Sequence, residues 1–357
     1  MLMNRRSFAG GIAAAVAGLG SFGEAGAQTA PAAADVAIIS GSGSEVLQVA
    51  ADRFAAKDGL ALNLQQFGNT SDLAQAVAAG RTPFGQLGMA TLIPAISHGA
   101  NIIVIATSAY TFKDKSGHSW ATNNLVVRDD GTIKTVADLK GKAIAVNDLG
   151  STFNYLIRDY LTAYKIDPDR DVKIIGVNFP QMPGALLTKQ VDAAVMTTGG
   201  YFASLKRSPV KIISSPPDWM PQVPFDGFAV IFANKDYLKA HHDVGVRLVK
   251  SMVLAFDALA DDAQNHGGEL DRTTLMKTTG ESEADVTAIV KEFDYYGHLK
   301  DVTQQPGEVP LKAFSFYDDL LVKTKQLDAR LPESQAVDSS YLREAYKQLG
   351  RTWRNPA

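Results

Sequence analysis

The sequence predicts an α/β protein of two lobes, each a mostly parallel sheet with flanking helices, followed by a set of C-terminal helices. Three observations carry that prediction. Short apolar runs alternate with segments of helical period from residue 35 to residue 214. The turns after those runs are polar and rich in Gly, Ser and Thr, as at the carboxyl edge of a parallel sheet, where open α/β folds bind ligands. From residue 235 onward the apolar residues keep helical spacing instead.

Residues 35–39 form a short apolar strand, followed by the turn Ser40-Gly41-Ser42-Gly43-Ser44 and a helix carrying Val46, Leu47, Ala50 and Phe54. Residues 60–67 alternate as a second strand. Ser71 is placed to cap a helix that Gly80 ends. A strand (84–87), a helix (91–98) and an Ile- and Val-rich strand (101–107) follow, and residues 120–128 lead out of the first lobe. In the second lobe a short helix runs into strand 142–146. The loop 147–151 then opens a long helix, and strand 172–177, a helix opened by Pro183 and strand 192–196 complete the pattern. Residues 211–214 read as the strand returning to the first lobe, which puts a hinge at these two crossings. Residues 226–234 read as an antiparallel strand rejoining it. Helices are expected over 242–261, with Val244, Leu248, Val249, Met252, Phe256 and Leu259 on one stripe, and over 283–293, 312–325 and 339–349. They are expected to back the first lobe and brace the hinge.

The N-terminus has the form of an export signal. Arg5 and Arg6 form a basic head, an Ala- and Gly-rich stretch spans 9–22, and Ala25-Gly26-Ala27 offers a cleavage site. Arg5-Arg6-Ser7-Phe8 resembles the twin-arginine motif. The expected boundaries are therefore 1–27 signal, removed after Ala27; 28–34 linker; 35–123 first lobe; 124–212 second lobe; 213–357 return and C-terminal helices.

The chain's 357 residues, 46% hydrophobic and 20% charged, support a full-sized core. A net charge of −3 without a basic cluster gives nucleic acid no electrostatic footprint. With no cysteine, disulfides, thiolate chemistry, cysteine-ligated zinc and a lipid-anchored N-terminus are not expected. None of the six histidines is spaced as a metal box, and neither a Gly-x-Ser-x-Gly elbow nor a Walker lysine occurs. The reading expects no catalytic set, no metal and no cofactor.

Two runs in the second lobe are moderately specific: Asp138-Leu139-Lys140-Gly141-Lys142 and Lys189-Gln190-Val191-Asp192-Ala193. On these the chain resembles substrate-binding proteins of ABC importers, in the nitrate/sulfonate/taurine-binding family. The resemblance covers roughly residues 36–325. Lys189 stands where that family has glycine, and Arg81-Thr82-Pro83 where it often has an acid. The resemblance implies a two-lobed periplasmic-binding-protein fold of type II. It also implies a monomer in the periplasm that closes by hinge motion on a small-molecule ligand and then docks on an ABC permease in the inner membrane. The ligand it implies is a small organic molecule or anion that is sulfonate-, nitrate- or heterocycle-like. Two alternatives stay open: an exported enzyme of the pyrimidine-synthase-like superfamily, against which the absence of cysteine argues, and a protein delivering ligand to a membrane sensor.

Ligand contacts are expected on the sheet-edge turns. The first Gly-rich turn lacks the third glycine of a dinucleotide fingerprint, since Val46 stands there, and no acid ends the second strand. It reads instead as a helix N-terminus with Ser40 and Ser42 toward the cleft, or as capping by Ser44 alone. Asn147, Ser151 and Thr152 repeat the arrangement in the second lobe, where capping by Ser151 is the plainer reading. Thr198 and Tyr201 follow strand 192–196. From the first lobe come Phe67, Met89 and Tyr110, each at or after a strand end, and Asp226 as a cleft carboxylate.

Overall fold

The computed structural model describes residues 31–40, 44–114, 116–223, 225–292, 295–298 and 305–354. The expected signal, residues 28–30 of the linker, and Gly41, Ser42 and Gly43 lie outside the described residues.

In chain order the strands are β1 (Ala32–Ile39), β2 (Leu60–Phe67), β3 (Phe84–Gly88), β4 (Ile102–Lys113), β5 (Ser119–Trp120), β6 (Asn123–Arg128), β7 (Ala143–Val146), β8 (Lys173–Gly176), β9 (Ala193–Thr197), β10 (Val210–Ser214) and β11 (Phe225–Asn234). They build two mixed sheets, β2-β1-β3-β11-β4-β5 and β10-β6-β9-β7-β8. In the first, β1 runs parallel to β2 and β3, while β11 is antiparallel to β3 and β4. In the second, β7 runs parallel to β8 and β9, while β6 is antiparallel to β9 and β10. The chain passes between sheets twice, from β5 to β6 and from β10 to β11. Two α/β lobes with added C-terminal helices are thus what the structure shows.

Several elements depart from expectation for identifiable reasons. Residues 32–34 are not linker but the start of β1, because Ala32, Ala33 and Ala34 pair in register with Leu60, Ala61 and Leu62. Small residues carry weak strand signal, yet backbone pairing is indifferent to them. The helix Thr70–Ala78 is capped by Asn69, whose side chain accepts from the Asp72 N–H, and not by Ser71. Strand β4 does not stop at residue 107; pairing with β11 and then β5 carries it to Lys113. Strand β10 pairs with β6 in the second sheet, so the return to the first sheet comes only after Ser214.

The stripe expected on the long helix is buried throughout: Val244, Leu248, Val249, Met252, Phe256 and Leu259 are each 3% exposed or less. That helix, His242–Asn265, packs on the first lobe. The helix Leu311–Lys323 touches the helix Met89–Ser97 and β11 of the first lobe and the helix Thr152–Ala163 of the second. Helices the sequence did not announce also appear, Glu269–Thr279 and Tyr295–His298 among them. The first is threonine-rich, with weak intrinsic preference for a helix. Among the described residues no helix is long and apolar enough to cross a membrane.

The two specific runs prove to be structural. Asp138 closes a capping box with Thr135 and accepts from the Lys134 and Thr135 N–H groups, and Gly141 follows at φ 77°. Lys189 sits at φ 63°, a left-handed turn that glycine adopts without strain. Asp192 accepts from the Ala143 N–H and the Arg128 guanidinium, tying β7, β6 and β9 together.

Candidate functional site

The gap between the two sheets is bounded by turns from both lobes. The lobes touch through Thr91 and Thr152. The Thr152 N–H donates to Thr91 Oγ1 at 3.0 Å, and the Thr91 N–H donates to Thr152 Oγ1 at 3.3 Å. Gly88, at the end of β3, makes this approach possible: a Cβ there would lie 2.3 Å from Thr152 Oγ1. Its φ of −71° is open to any residue, so the requirement is for space and not for a glycine backbone. Lys206 of the second lobe also reaches Glu281 and Asp285 (2.6 Å) of the C-terminal region.

Two chambers occupy the gap and share Thr122 and Phe179 in their walls. The larger is about 720 Å³, within the range of small-molecule sites. Ser40, Glu45 and Gln48 face it from the first lobe, Thr198 from the second, and Asp271 from the helix Glu269–Thr279. Trp120, Tyr295 and Tyr296 form an aromatic wall. Burial holds the Glu45 carboxyl above the usual carboxylate range. Burial also raises the Tyr296 hydroxyl, with Glu45 and Asp271 adding to the effect. Among the described residues lining this chamber Lys277 is the only cation, and it pairs with Asp52 at 2.7 Å.

The smaller chamber is about 60 Å³, and Thr91 and Thr152 are both in its wall. It is lined by Thr70, Gln86 and Thr91 from the first lobe and by Asn123, Asn147 and Ser151 from the second. Phe153, Phe179 and Phe228 complete its lining.

The expected site residues divide into four groups. Ser40 and Thr198 line the larger chamber; Asn147, Ser151 and Thr152 line the smaller. Part of their bonding is already committed. Ser151 caps its helix by accepting from the Asn154 N–H, and the Thr198 hydroxyl donates to the Thr122 carbonyl at 3.2 Å, holding the crossing between β5 and β6. Ser42 lies outside the described residues.

Phe67, Met89, Tyr110, Tyr201 and Asp226 line neither chamber. Met89 is 2% exposed in the core, and Phe67 packs against the same core. Tyr201 is buried against Phe202. Tyr110 is interior to β4 and stacks on Phe225 at 4.7 Å, its hydroxyl donating toward the Gln305 and Glu308 carbonyls. Asp226 is fully buried and accepts from the Tyr317 hydroxyl at 2.5 Å. Burial pushes its pKa up to about 7, against the lowering effect of that bond.

The sequence reading missed Glu45, Gln48, Gln86, Asn123, Asp271 and the aromatic wall. Glu45 and Gln48 stood beside a turn already singled out, on the first turn of its helix. Nothing local marked Asp271 or Tyr296, which arrive from distant helices.

The chain belongs to the NMT1/THI5 like family, which matches residues 49–267. A protein of Brachyspira hyodysenteriae, named as a candidate ABC transporter periplasmic binding protein, is 26% identical over 228 residues, 60% of this chain and 61% of that one. The chain thus matches less than two thirds of that relative's length. Among solved structures, the alkanesulfonate-binding protein SsuA from Xanthomonas axonopodis pv. citri bound to MOPS superposes with a TM-score of 0.66 at 18% identity, covering 86% of this chain and 98% of that one. The desulfurization enzyme DSZB superposes with a TM-score of 0.59 at 13% identity, covering 88% and 99%. The same fold therefore carries both binding and catalysis, and function has to be argued from the site.

Proposed function

We propose that this chain is the solute-binding component of an ABC importer, working in the periplasm. It captures an organic molecule in the gap between its lobes and presents the closed form to a membrane permease. One observation carries the reading: a gap of ligand size whose walls come from both lobes, with the lobes meeting at Thr91 and Thr152. A ligand touching both walls favours the closed arrangement by the contacts it makes only there. The two crossings, β5 to β6 and β10 to β11, are the natural hinge. The name of the Brachyspira relative agrees with this role. The paired state of Lys277 favours an organic solute over a bare inorganic anion, because no uncommitted cation lines the larger chamber among the described residues.

A thermal-shift screen of the protein tests the proposal. A compound at about 100 times its Kd raises stability by about 2.7 kcal/mol. An absence of any stabilising solute argues against it. DSZB keeps the enzyme class in view, and conversion of the captured compound on standing with the protein would move the chain there.

A further inference from the structure

We infer that the smaller chamber is a subsite for a planar amide-type group of the solute: a primary carboxamide, a urea or an amino-heterocycle that brings N–H donors together with an acceptor. The inference rests on the solute-binding reading and specifies its chemistry. Four residues that line this chamber each carry a buried side-chain atom with no protein partner: Thr70 Oγ1, Gln86 Oε1, Asn123 Nδ2 and Asn147 Oδ1. Their residues are 3%, 5%, 6% and 7% exposed. Buried polar atoms are nearly always paired, so four around one small space mark a place where a polar guest completes the bonding.

The polarity of the set is readable. The Ser108 hydroxyl donates to the Ala229 carbonyl at 3.1 Å and must therefore accept from Gln86 Nε2, at 2.9 Å. That fixes the Gln86 carbonyl oxygen as the end left without a partner. Asn123 uses its oxygen to accept from the Thr122 hydroxyl at 3.1 Å, which leaves its NH₂ as a donor. With the Asn147 oxygen and the Thr70 hydroxyl, which can donate or accept, these residues offer two carbonyl acceptors, one amide donor and one hydroxyl. The complementary guest carries two N–H groups and one acceptor. Nitrate and sulfonate oxygens accept only; they would face the Gln86 and Asn147 carbonyls lone pair to lone pair, and no cation lines this chamber among the described residues. Phe153, Phe179 and Phe228 give the chamber an aromatic lining against which a flat group can pack. The remainder of the solute extends past Thr122 and Phe179 into the larger chamber. Thr70 and Gln86 belong to the first lobe, Asn123 and Asn147 to the second, so the guest's bonds are complete only when the lobes meet.

The test is calorimetric titration of the full chain with two panels. One contains primary carboxamides, ureas and amino-heterocycles, benzamide and nicotinamide among them. The other contains size-matched carboxylates and sulfonates, benzoate and benzenesulfonate among them, together with nitrate. The expected result is binding confined to the first panel, weakened about tenfold or more by Gln86→Leu in one lobe and by Asn147→Ala in the other. Asn147→Ala keeps the test informative if loss of the Ser108 partner unfolds the first variant. Tightest binding by an oxyanion overturns the subsite and leaves solute capture standing. So does an amide whose affinity neither variant changes. Failure of every compound in both panels overturns solute capture along with it.

Discussion

At the residue scale, burial decides more than residue type. Asp226 and Thr152 are both expected in the cleft, yet one is sealed beneath Tyr317 and the other touches the opposite lobe. The Asp226 carboxyl stays protonated to about pH 7, against an ordinary value of 3.8. Its folded pKa is raised, so its contribution to stability is complete below about pH 4 and is lost as pH rises through 7. Asp226→Asn keeps an acceptor for Tyr317 and has no such dependence. Urea unfolding at about pH 5 and about pH 8 is expected to show the variant gaining on the parent at the higher pH, by up to about 3 kcal/mol. Equal differences at both pH values would contradict the buried, raised carboxyl. Lys189 gives a simpler test. Its left-handed backbone at φ 63° is exposed and strained, so Lys189→Gly is expected to raise stability by about 1 kcal/mol in denaturant melts.

At the element scale, the strands and helices with strong period were legible, and those defined by partners were not. The bounds of β2, the stripe on the helix His242–Asn265 and the turns holding Ser40, Asn147 and Thr198 could all be read locally. Strand β4 could not, because β11 pairs along it and extends it past residue 107; that extension is why Tyr110 stacks within the first lobe instead of walling the cleft. The helix Glu269–Thr279 could not either, since its threonines say little and its neighbours say much. The orphaned amides of Gln86 and Asn123 lie inside strands β3 and β6, where a lone polar residue gives no local sign of a site. The long helix should matter to stability and not to binding. Leu248→Ala, at a fully buried position, is expected to cost about 2–5 kcal/mol in chemical unfolding while leaving solute affinity within about twofold.

At the scale of the whole molecule, solute capture turns on closure. Gly88→Ala places a methyl against Thr152 Oγ1, so the lobes cannot meet as they do here. The variant is expected to keep its circular dichroism and melting cooperativity while losing solute affinity by about tenfold or more. Unaltered affinity would mean that capture does not need the Thr91–Thr152 contact. The most direct measurement is of the lobes themselves. The chain has no cysteine, so spin labels on Gln75→Cys in the first lobe and Thr162→Cys in the second report one inter-lobe distance by pulsed electron resonance; both positions are exposed on helices that flank the gap. With the tightest compound from the titration panels, that distance is predicted to shorten and its distribution to narrow. An identical distribution with and without saturating compound would contradict capture by closure.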